Sequence, residues 1–519
     1  MPRKATAAGV AGLFLILAAS SGCTTLHEYI ENHFKVGPQY ATPPAPVAKD
    51  WIDANDKRVR TDADDLAKWW TVFNDPVLND LICFAYRQNL TLRQVGFRIL
   101  QARAQLAIDQ GYLLPQTQRM FGDYTRNALS LETANSHIIS PLGPVTLQQF
   151  YSQWDLGFNL GWEIDFWGRF RRAVEADSAN LDASVANYDD ALVTLLADVA
   201  SNYVQLRTLQ ERIKLTNKNI ELQRDTVRLA EAAFKAGTVD EVGLDQLRST
   251  LAQTESQIPE LEISLRQTND QLCTLLGVSP EDLQPKLGDG SIPTAPPEVA
   301  IGIPADLLRR RPDVRRAERQ AAAQCAEIGV AESDFYPHVA INGAIGYSAD
   351  RFKDLFRSQA LNGNIGPSFQ WNILNYGRIL NNVRLQDAKF QELVAAYQNT
   401  VLSANRDVED GLVTFLRAQQ RTKALAESVA TADKAVKFLQ LQKKIGTANA
   451  SQVDLLEQNK VVREDTYAQA RGEIALGLIQ VYRALGGGWQ LRYTGCETAA
   501  SGPACGPPLP EAPAPEAPK

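Results

Sequence analysis

Phe150-Tyr151-Ser152-Gln153-Trp154-Asp155-Leu156-Gly157-Phe158-Asn159-Leu160-Gly161-Trp162-Glu163-Ile164-Asp165-Phe166 decides the fold of this chain. Its even positions are apolar except Ser152, while Gln153, Asp155, Asn159, Glu163 and Asp165 fall on odd positions. A period of two is a strand with one greasy and one wet face. The pattern recurs at Ile365, Pro367, Phe369, Trp371 and Ile373, at Val339, Ile341, Ile345 and Tyr347, and more weakly from Gln118 to Tyr124. Four strands are expected, near 116–126, 149–166, 338–348 and 365–374. Alternating segments of about ten residues with aromatic ends match transmembrane β-strands; a soluble sandwich is the alternative. In hydrocarbon, open sheet edges leave backbone groups unpaired at high cost. Four strands cannot close a barrel, since the smallest use about eight. If these strands lie in a membrane, several copies of the chain must share one barrel.

Outward from this strand the chain repeats itself. Trp162 to Gly277 aligns without a gap on Trp371 to Gly486, at an offset of 371 − 162 = 209. The pairs include Gly168/Gly377, Tyr188/Tyr397, Asp198/Asp407, Gly237/Gly446, Thr238/Thr447, Asp245/Asp454 and Gly277/Gly486. Such a long register implies a duplicated half-molecule with pseudo-two-fold symmetry. No proline lies between Gly168 and Pro259 or between Pro367 and Pro503, so long helices are allowed. Leu181, Val185, Tyr188, Leu192, Leu195, Val199, Leu206, Leu209 and Ile213 step by threes and fours, with Asn202 interrupting, as in a coiled-coil seam. A helix from Gly168 to Ala236 would extend roughly 100 Å. Lys235-Ala236-Gly237-Thr238 and Lys444-Ile445-Gly446-Thr447 then read as capped tips, from which second helices return to Leu276-Gly277 and Leu485-Gly486.

The termini and composition narrow the setting. Arg3 and Lys4, the apolar stretch Ala7 to Ala19, and Ser20-Ser21-Gly22 before Cys23 read as an export signal. The end of that run resembles a bacterial lipobox in which Cys23 takes the lipid, although Ser20 stands where Leu is usual; signal cleavage beside a bystander cysteine is the alternative. Cys83, Cys273 and Cys325 sit singly in helical patterns and are expected as small buried hydrophobes. Cys496 and Cys505 flank a short polar segment where a local disulfide is allowed. The tail from Pro503 to Lys519 is too poor in apolar residues to fold. A net charge of −7, from 53 basic and 60 acidic residues, gives no footprint for nucleic acid. His27, His33, His137 and His338 are scattered without metal-ligand spacing, and no phosphate loop or nucleophile elbow occurs. No cofactor, metal or enzymatic reaction is expected.

Several ordered motifs carry a resemblance. Val36-Gly37-Pro38-Gln39-Tyr40 with Pro43 and Pro44 comes first, then Trp69-Trp70-Thr71-Val72-Phe73-Asn74-Asp75-Pro76-Val77-Leu78. The most specific is Ile303-Pro304-Ala305-Asp306-Leu307-Leu308-Arg309-Arg310-Arg311-Pro312-Asp313-Val314, followed by Phe335-Tyr336-Pro337 and Trp371-Asn372-Ile373 with Gly377-Arg378. Over roughly residues 23 to 490 the chain resembles the TolC-like outer-membrane efflux proteins, in the lipoprotein branch typified by OprM and NodT. The resemblance implies an α+β membrane protein: a homotrimer whose protomers each give four strands to one 12-stranded β-barrel, with a long periplasmic α-barrel of coiled-coil hairpins. It also implies a passive exit duct docked through its tips to a periplasmic adaptor, which connects it to an inner-membrane pump of the proton-driven RND type, and an outer-membrane location.

The resulting layout is a signal peptide at 1–22, a lipid-anchored segment at 23–76 and a first repeat at 77–286 with its tip near 237. A linker at 287–305, a second repeat at 306–489 with its tip near 446, and a Pro/Ala-rich tail at 490–519 follow. On the family pattern Gly237, Thr238, Gly446 and Thr447 face the adaptor, while turn chemistry alone also accounts for the glycines. Asp454 and its repeat mate Asp245 are the candidates for an acidic ring at the periplasmic entrance, although Leu455 falls where the family often has the acid. Trp154, Trp162, Phe166, Trp167 and Trp371 suit a membrane-interface belt. Arg309-Arg310-Arg311-Pro312-Asp313 reads as a helix start: Pro312 in the first turn, Asp313 complementing the dipole. A secreted coiled-coil adhesin with a soluble sheet is the rival reading, distinguishable by extraction without detergent. A diffusion porin would need more strands per chain and no rods.

Overall fold

A computed structural model describes residues 26–60, 66–130, 139–140, 143–144, 149–238, 240–445 and 450–496. Its principal elements, in chain order, are α1 (Leu26–Glu31), α2 (Pro76–Gln88), α3 (Leu90–Gly111), β1 (Thr117–Ala128), β2 (Phe150–Ile164), α4 (Arg169–Lys235) and α5 (Glu241–Leu276). They continue with α6 (Pro312–Ser333), β3 (His338–Ala349), β4 (Leu361–Gln370), α7 (Arg378–Lys444), α8 (Ala450–Ala484) and α9 (Leu491–Thr494). The duplication is visible in the lengths. Helices α4 and α7 each span 67 residues and start 209 residues apart, and α3 and α6 each span 22.

The chain forms two compact units, each drawing on both repeats. The first holds residues 1–43, 101–182 and 318–395, and contains the sheet. All neighbours in the order β1-β2-β3-β4 are antiparallel, with Met120 opposite Phe158, Phe158 opposite Ile345, and Ile345 opposite Gly363. This register puts the apolar sides of all four strands on one face, because every residue of a directly opposed pair points the same way. The other face carries Asp123, Asp155, Asn159, Asn342, Ser348 and Asn364. β1 and β4 are open edges.

Strand β4 begins earlier and ends earlier than the alternation predicts. It runs from Leu361 to Gln370, so Trp371 and Ile373 lie beyond it. Trp371, just past the ladder, donates its ring N–H to the Phe335 carbonyl at 2.9 Å.

The second unit, residues 44–100, 183–317 and 396–519, holds the main apolar core. Trp69, Trp70 and Phe73 are buried there against Leu192, Leu196, Tyr482 and Leu485, and Trp69 stacks on Tyr482 at 5.3 Å. That explains the Trp69-to-Leu78 motif: Asp75 caps α2 by accepting from Val77 and Leu78 N–H at 2.9 and 3.2 Å, with Pro76 in the first turn. Leu192, Leu195, Val199, Leu206 and Leu209 of the seam are buried, and so are Val193, Leu196, Ala200, Tyr203 and Val204 between them. From 192 to 209 α4 is therefore enclosed on most sides, where a coiled coil alone would bury one stripe. Asn202 turns its amide to the Asp198 carbonyl at 2.8 Å.

One cysteine assignment is corrected. Cys83 of α2 is bonded to Cys496, and Cys505 lies outside the described residues. Cys83 is therefore no free hydrophobe, and Cys496 is not left for a local partner. Cys496 comes right after α9, which packs into the core of the second unit through Leu491 and Arg492, so folding and not sequence proximity selects the pair. Cys273 and Cys325 are free and buried.

Candidate functional site: the membrane wall and the hairpin tips

The wall is the sheet's apolar face. Trp154 lies at one end, with Tyr124 at 4.5 Å and Phe352 at 5.1 Å between ring centres. Eight residues further along β2, Trp162 donates to the Leu113 carbonyl at 3.3 Å, and just past the strand Trp167 donates to the Pro337 carbonyl at 2.9 Å. At about 3.3 Å per residue, Trp154 and Trp162 are separated by roughly 26 Å along the strand, comparable to the apolar band of outer-membrane barrels. Phe166 packs edge-on against Trp167 at 4.8 Å. Between the two aromatic ends, Met120, Phe158, Ile345, Ile365 and Phe369 are exposed. Trp162, Trp167 and Trp371 each combine a partly exposed apolar ring with an N–H satisfied by backbone, the arrangement suited to a boundary between lipid and water. Trp371 belongs to the same end as Trp162 through its bond to Phe335. No helix among the described residues is long and apolar enough to cross a membrane.

The first tip is built by a Schellman cap. Gly237 has φ +74°, its N–H reaches the Phe234 carbonyl at 2.9 Å, and the Thr238 N–H reaches the Ala233 carbonyl at 3.0 Å. Thr238 adds its hydroxyl to the same Ala233 carbonyl at 2.9 Å. Asp240 then caps α5 by accepting from the Gly243 N–H at 3.1 Å. The repeated glycines Gly277 and Gly486 end the return helices with the same pair of bonds. Gly446 and Thr447 lie outside the described residues, as does Cys23. Around the tips, Phe234, Val242, Phe438, Leu441, Ile445 and Leu455 are exposed apolar side chains.

The repeat mates Asp245 and Asp454 occupy different surroundings. Asp245 is exposed and lies 3.5 Å from Arg248. Asp454 is half-buried, and burial pushes its carboxyl above the usual range; Lys443 opposes this while Glu457 and Asp225 add to it. Beside it, Gln458 of α8 donates to the Thr226 hydroxyl of α4 at 3.1 Å. Only Asp454 therefore sits at a junction between the two hairpins.

The arginine run is structural. Arg311 reaches Asp313 at 2.7 Å, Asp407 at 3.3 Å and the Ala484 carbonyl at 2.8 Å, and Pro312 opens α6. These groups frame a polar cavity of about 400 Å³ together with Asp190 and Arg483. A residue that pattern reading passed over lies close by. Asp189, fully buried, binds Arg492 at 2.8 Å and Arg315 at 2.9 Å. Its only sequence signal is a carboxylate next to the seam residue Tyr188. Among the described residues no cluster of His, Cys, Asp or Glu could hold a metal.

A sheet with one apolar face and two open edges, joined to helical hairpins whose first helices span 67 residues, defines a protomer of an outer-membrane channel. Comparison with known proteins agrees. The chain belongs to the outer membrane efflux protein family, whose model matches residues 81–278 and 303–487. It is 30% identical over 465 residues to nodulation protein T of Rhizobium leguminosarum bv. trifolii, covering 88% of this chain and 94% of that protein. It is 29% identical over 427 residues to the pyoverdine export outer membrane protein OpmQ of Pseudomonas putida, covering 82% and 88%. Among solved structures, the outer-membrane channel OprN aligns with a TM-score of 0.78 at 31% identity, over 88% of this chain and 99% of that one. The chain is an outer-membrane exit duct of an efflux system: a trimer in which four strands per protomer complete a 12-stranded barrel, with the helical barrel in the periplasm. Closing such a barrel requires the open edges β1 and β4 to pair with neighbouring copies.

Proposed function

We propose that this duct is passive and completes a tripartite pathway, receiving small molecules from an inner-membrane pump, of the proton-driven RND type, through a periplasmic adaptor. The observation that carries this reading is the pairing of a one-faced sheet with open edges and a rigidly capped hairpin tip at Gly237-Thr238. The sheet supplies a hole in the membrane, and nothing in a wall of strands and helices supplies energy. Gly237, Thr238, Gly446 and Thr447 dock the adaptor, with the exposed apolar side chains around them as contact surface. Asp454 narrows the periplasmic entrance: three copies brought round one axis repel anions and each other, and raise their proton affinity further. Cys23 carries the lipid that anchors each chain. A polar-lined tube imposes little chemical selection, so cargo choice resides in the pump.

The test is crosslinking in cells from cysteine placed at Thr238 or Thr447. Capture of a periplasmic adaptor at both tips is expected. Recovery of no periplasmic partner from either position, in cells that hold folded trimer, would contradict the docking role.

A further inference from the structure

We propose that the segment Leu26–Phe34 is a second membrane contact, lying in the lipid boundary layer at the periplasmic end of the barrel and presenting Ile30 and Phe34 beside Phe166 to the leaflet. It rests on the outer-membrane reading above, and its failure can be told apart from failure of that reading.

Three exposed apolar side chains form the patch: Ile30, Phe34 and Phe166, each between 52% and 55% accessible. The segment that carries Ile30 and Phe34 is tied to Phe166 and Trp167 by the chain's own bonds. The Tyr29 hydroxyl donates to the Phe166 carbonyl at 2.7 Å, and the Val36 N–H donates to the Trp167 carbonyl at 3.0 Å. Tyr29 lies 5.6 Å from Phe34 and 5.6 Å from Trp167, and Trp167 stacks on Tyr336 at 4.5 Å. Phe166 follows Ile164, the last residue of the lipid-facing side of β2. The patch therefore continues an established membrane surface past the end of the strand.

The backbone there is shaped at a cost. His33 and Phe34 both adopt left-handed conformations, with φ of 55° and 60°. A non-glycine residue persists in this strained region only where its surroundings impose it. Arg171 imposes it, donating to the His33 and Phe34 carbonyls at 2.9 and 2.8 Å while paired with Asp165 at 3.0 Å. Buried Arg172 fixes the following turn through the Val36 and Gly37 carbonyls at 3.0 and 2.8 Å. Two arginines thus hold a conformation that turns Phe34 outward. His27 and Glu31, 3.2 Å apart and well exposed, leave this segment a wet side as well. Apolar anchors, a polar side and a position at the rim of a barrel are the features of an interfacial element, and such an element adds a second attachment to any lipid chain.

The experiment places a photo-reactive phenylalanine analogue at Phe34, Ile30, Phe158 or Gln39 of the full chain in cells and analyses only trimer extracted from outer membranes. Phe158 is the control on the barrel wall, and exposed Gln39 is the control on the same strap. Phospholipid adducts at 34 and 30 at least fivefold above those at 39, and comparable to those at 158, are expected. Adducts at 158 with none above background at 34 and 30 would overturn this proposal alone, as would chain-to-chain crosslinks at 34, which would mark a contact between copies. No lipid adducts even at 158 would instead overturn the membrane-wall reading.

Discussion

Cys83 and Cys496 are joined across 413 residues of sequence, with their Cα atoms 5.6 Å apart. The bond ties the end of the second repeat to the first long element of the first one, and Arg87 holds the same turn through the Cys496 carbonyl at 2.9 Å. In the oxidising space where the helical barrel lies, such a bond persists.

Cys83→Ser is expected to lower the stability of the folded chain by about 2–5 kcal/mol, by freeing a very long loop in the unfolded state. Unfolding with and without reductant checks this: the wild type should fall to the variant's level when reduced, and the variant should not respond. Thiol labelling of the native protein should leave Cys273 and Cys325 unmodified, since both are buried and burial pushes the Cys325 thiol up to about 11.

Asp189→Ala leaves Arg492 and Arg315 without their shared carboxylate. Removing one member of a buried pair typically costs about 3–5 kcal/mol. Arg492→Ala should cost less, because Asp189 keeps Arg315. Thermal unfolding of the two variants gives the order, and equal losses would contradict it.

Asp454 should give the folded chain a pH-dependent stability. The folded chain holds a proton on Asp454 at higher pH than the unfolded chain does, so this group's contribution to stability falls as pH rises from the ordinary 3.8 through the raised value. Asp454→Asn should remove that slope. In planar bilayers Asp454→Asn should also weaken cation preference, with Asp245→Asn close to wild type. Interchanged behaviour of the two variants would assign the entrance to Asp245.

Gly237→Val forces a β-branched side chain to φ +74°. Nothing lies within 4 Å of the added Cβ, so the loss is purely one of backbone conformation, on the order of 1–2 kcal/mol at the tip. Hydrogen exchange should quicken in the last turn of α4 and the first of α5. Gly237→Asn should largely restore protection, because asparagine tolerates this region.

Much of this was legible because it is periodic. The two-residue alternation of β2 and the 209-residue register located strands, rods and tips, and the open edges followed from counting strands against what closes a barrel. Other features depend on contacts that no local pattern encodes. Cys496 meets Cys83 only because α9 packs into the core of the second unit, and Asp189 is enclosed only once Arg315 and Arg492 arrive from distant segments. Likewise Trp371 continues an alternating pattern, yet it lies past the strand's end, with its ring N–H on the Phe335 carbonyl. The difference between Asp245 and Asp454 is of the same kind, since identical repeat positions face different neighbours.

The most direct test is the stoichiometry of protein extracted from outer membranes, by native mass spectrometry out of detergent micelles. A species of three chains that aggregates when detergent is withdrawn is predicted, because β1 and β4 of each copy must be sealed by the next. A single chain that stays folded and soluble without detergent would contradict the account.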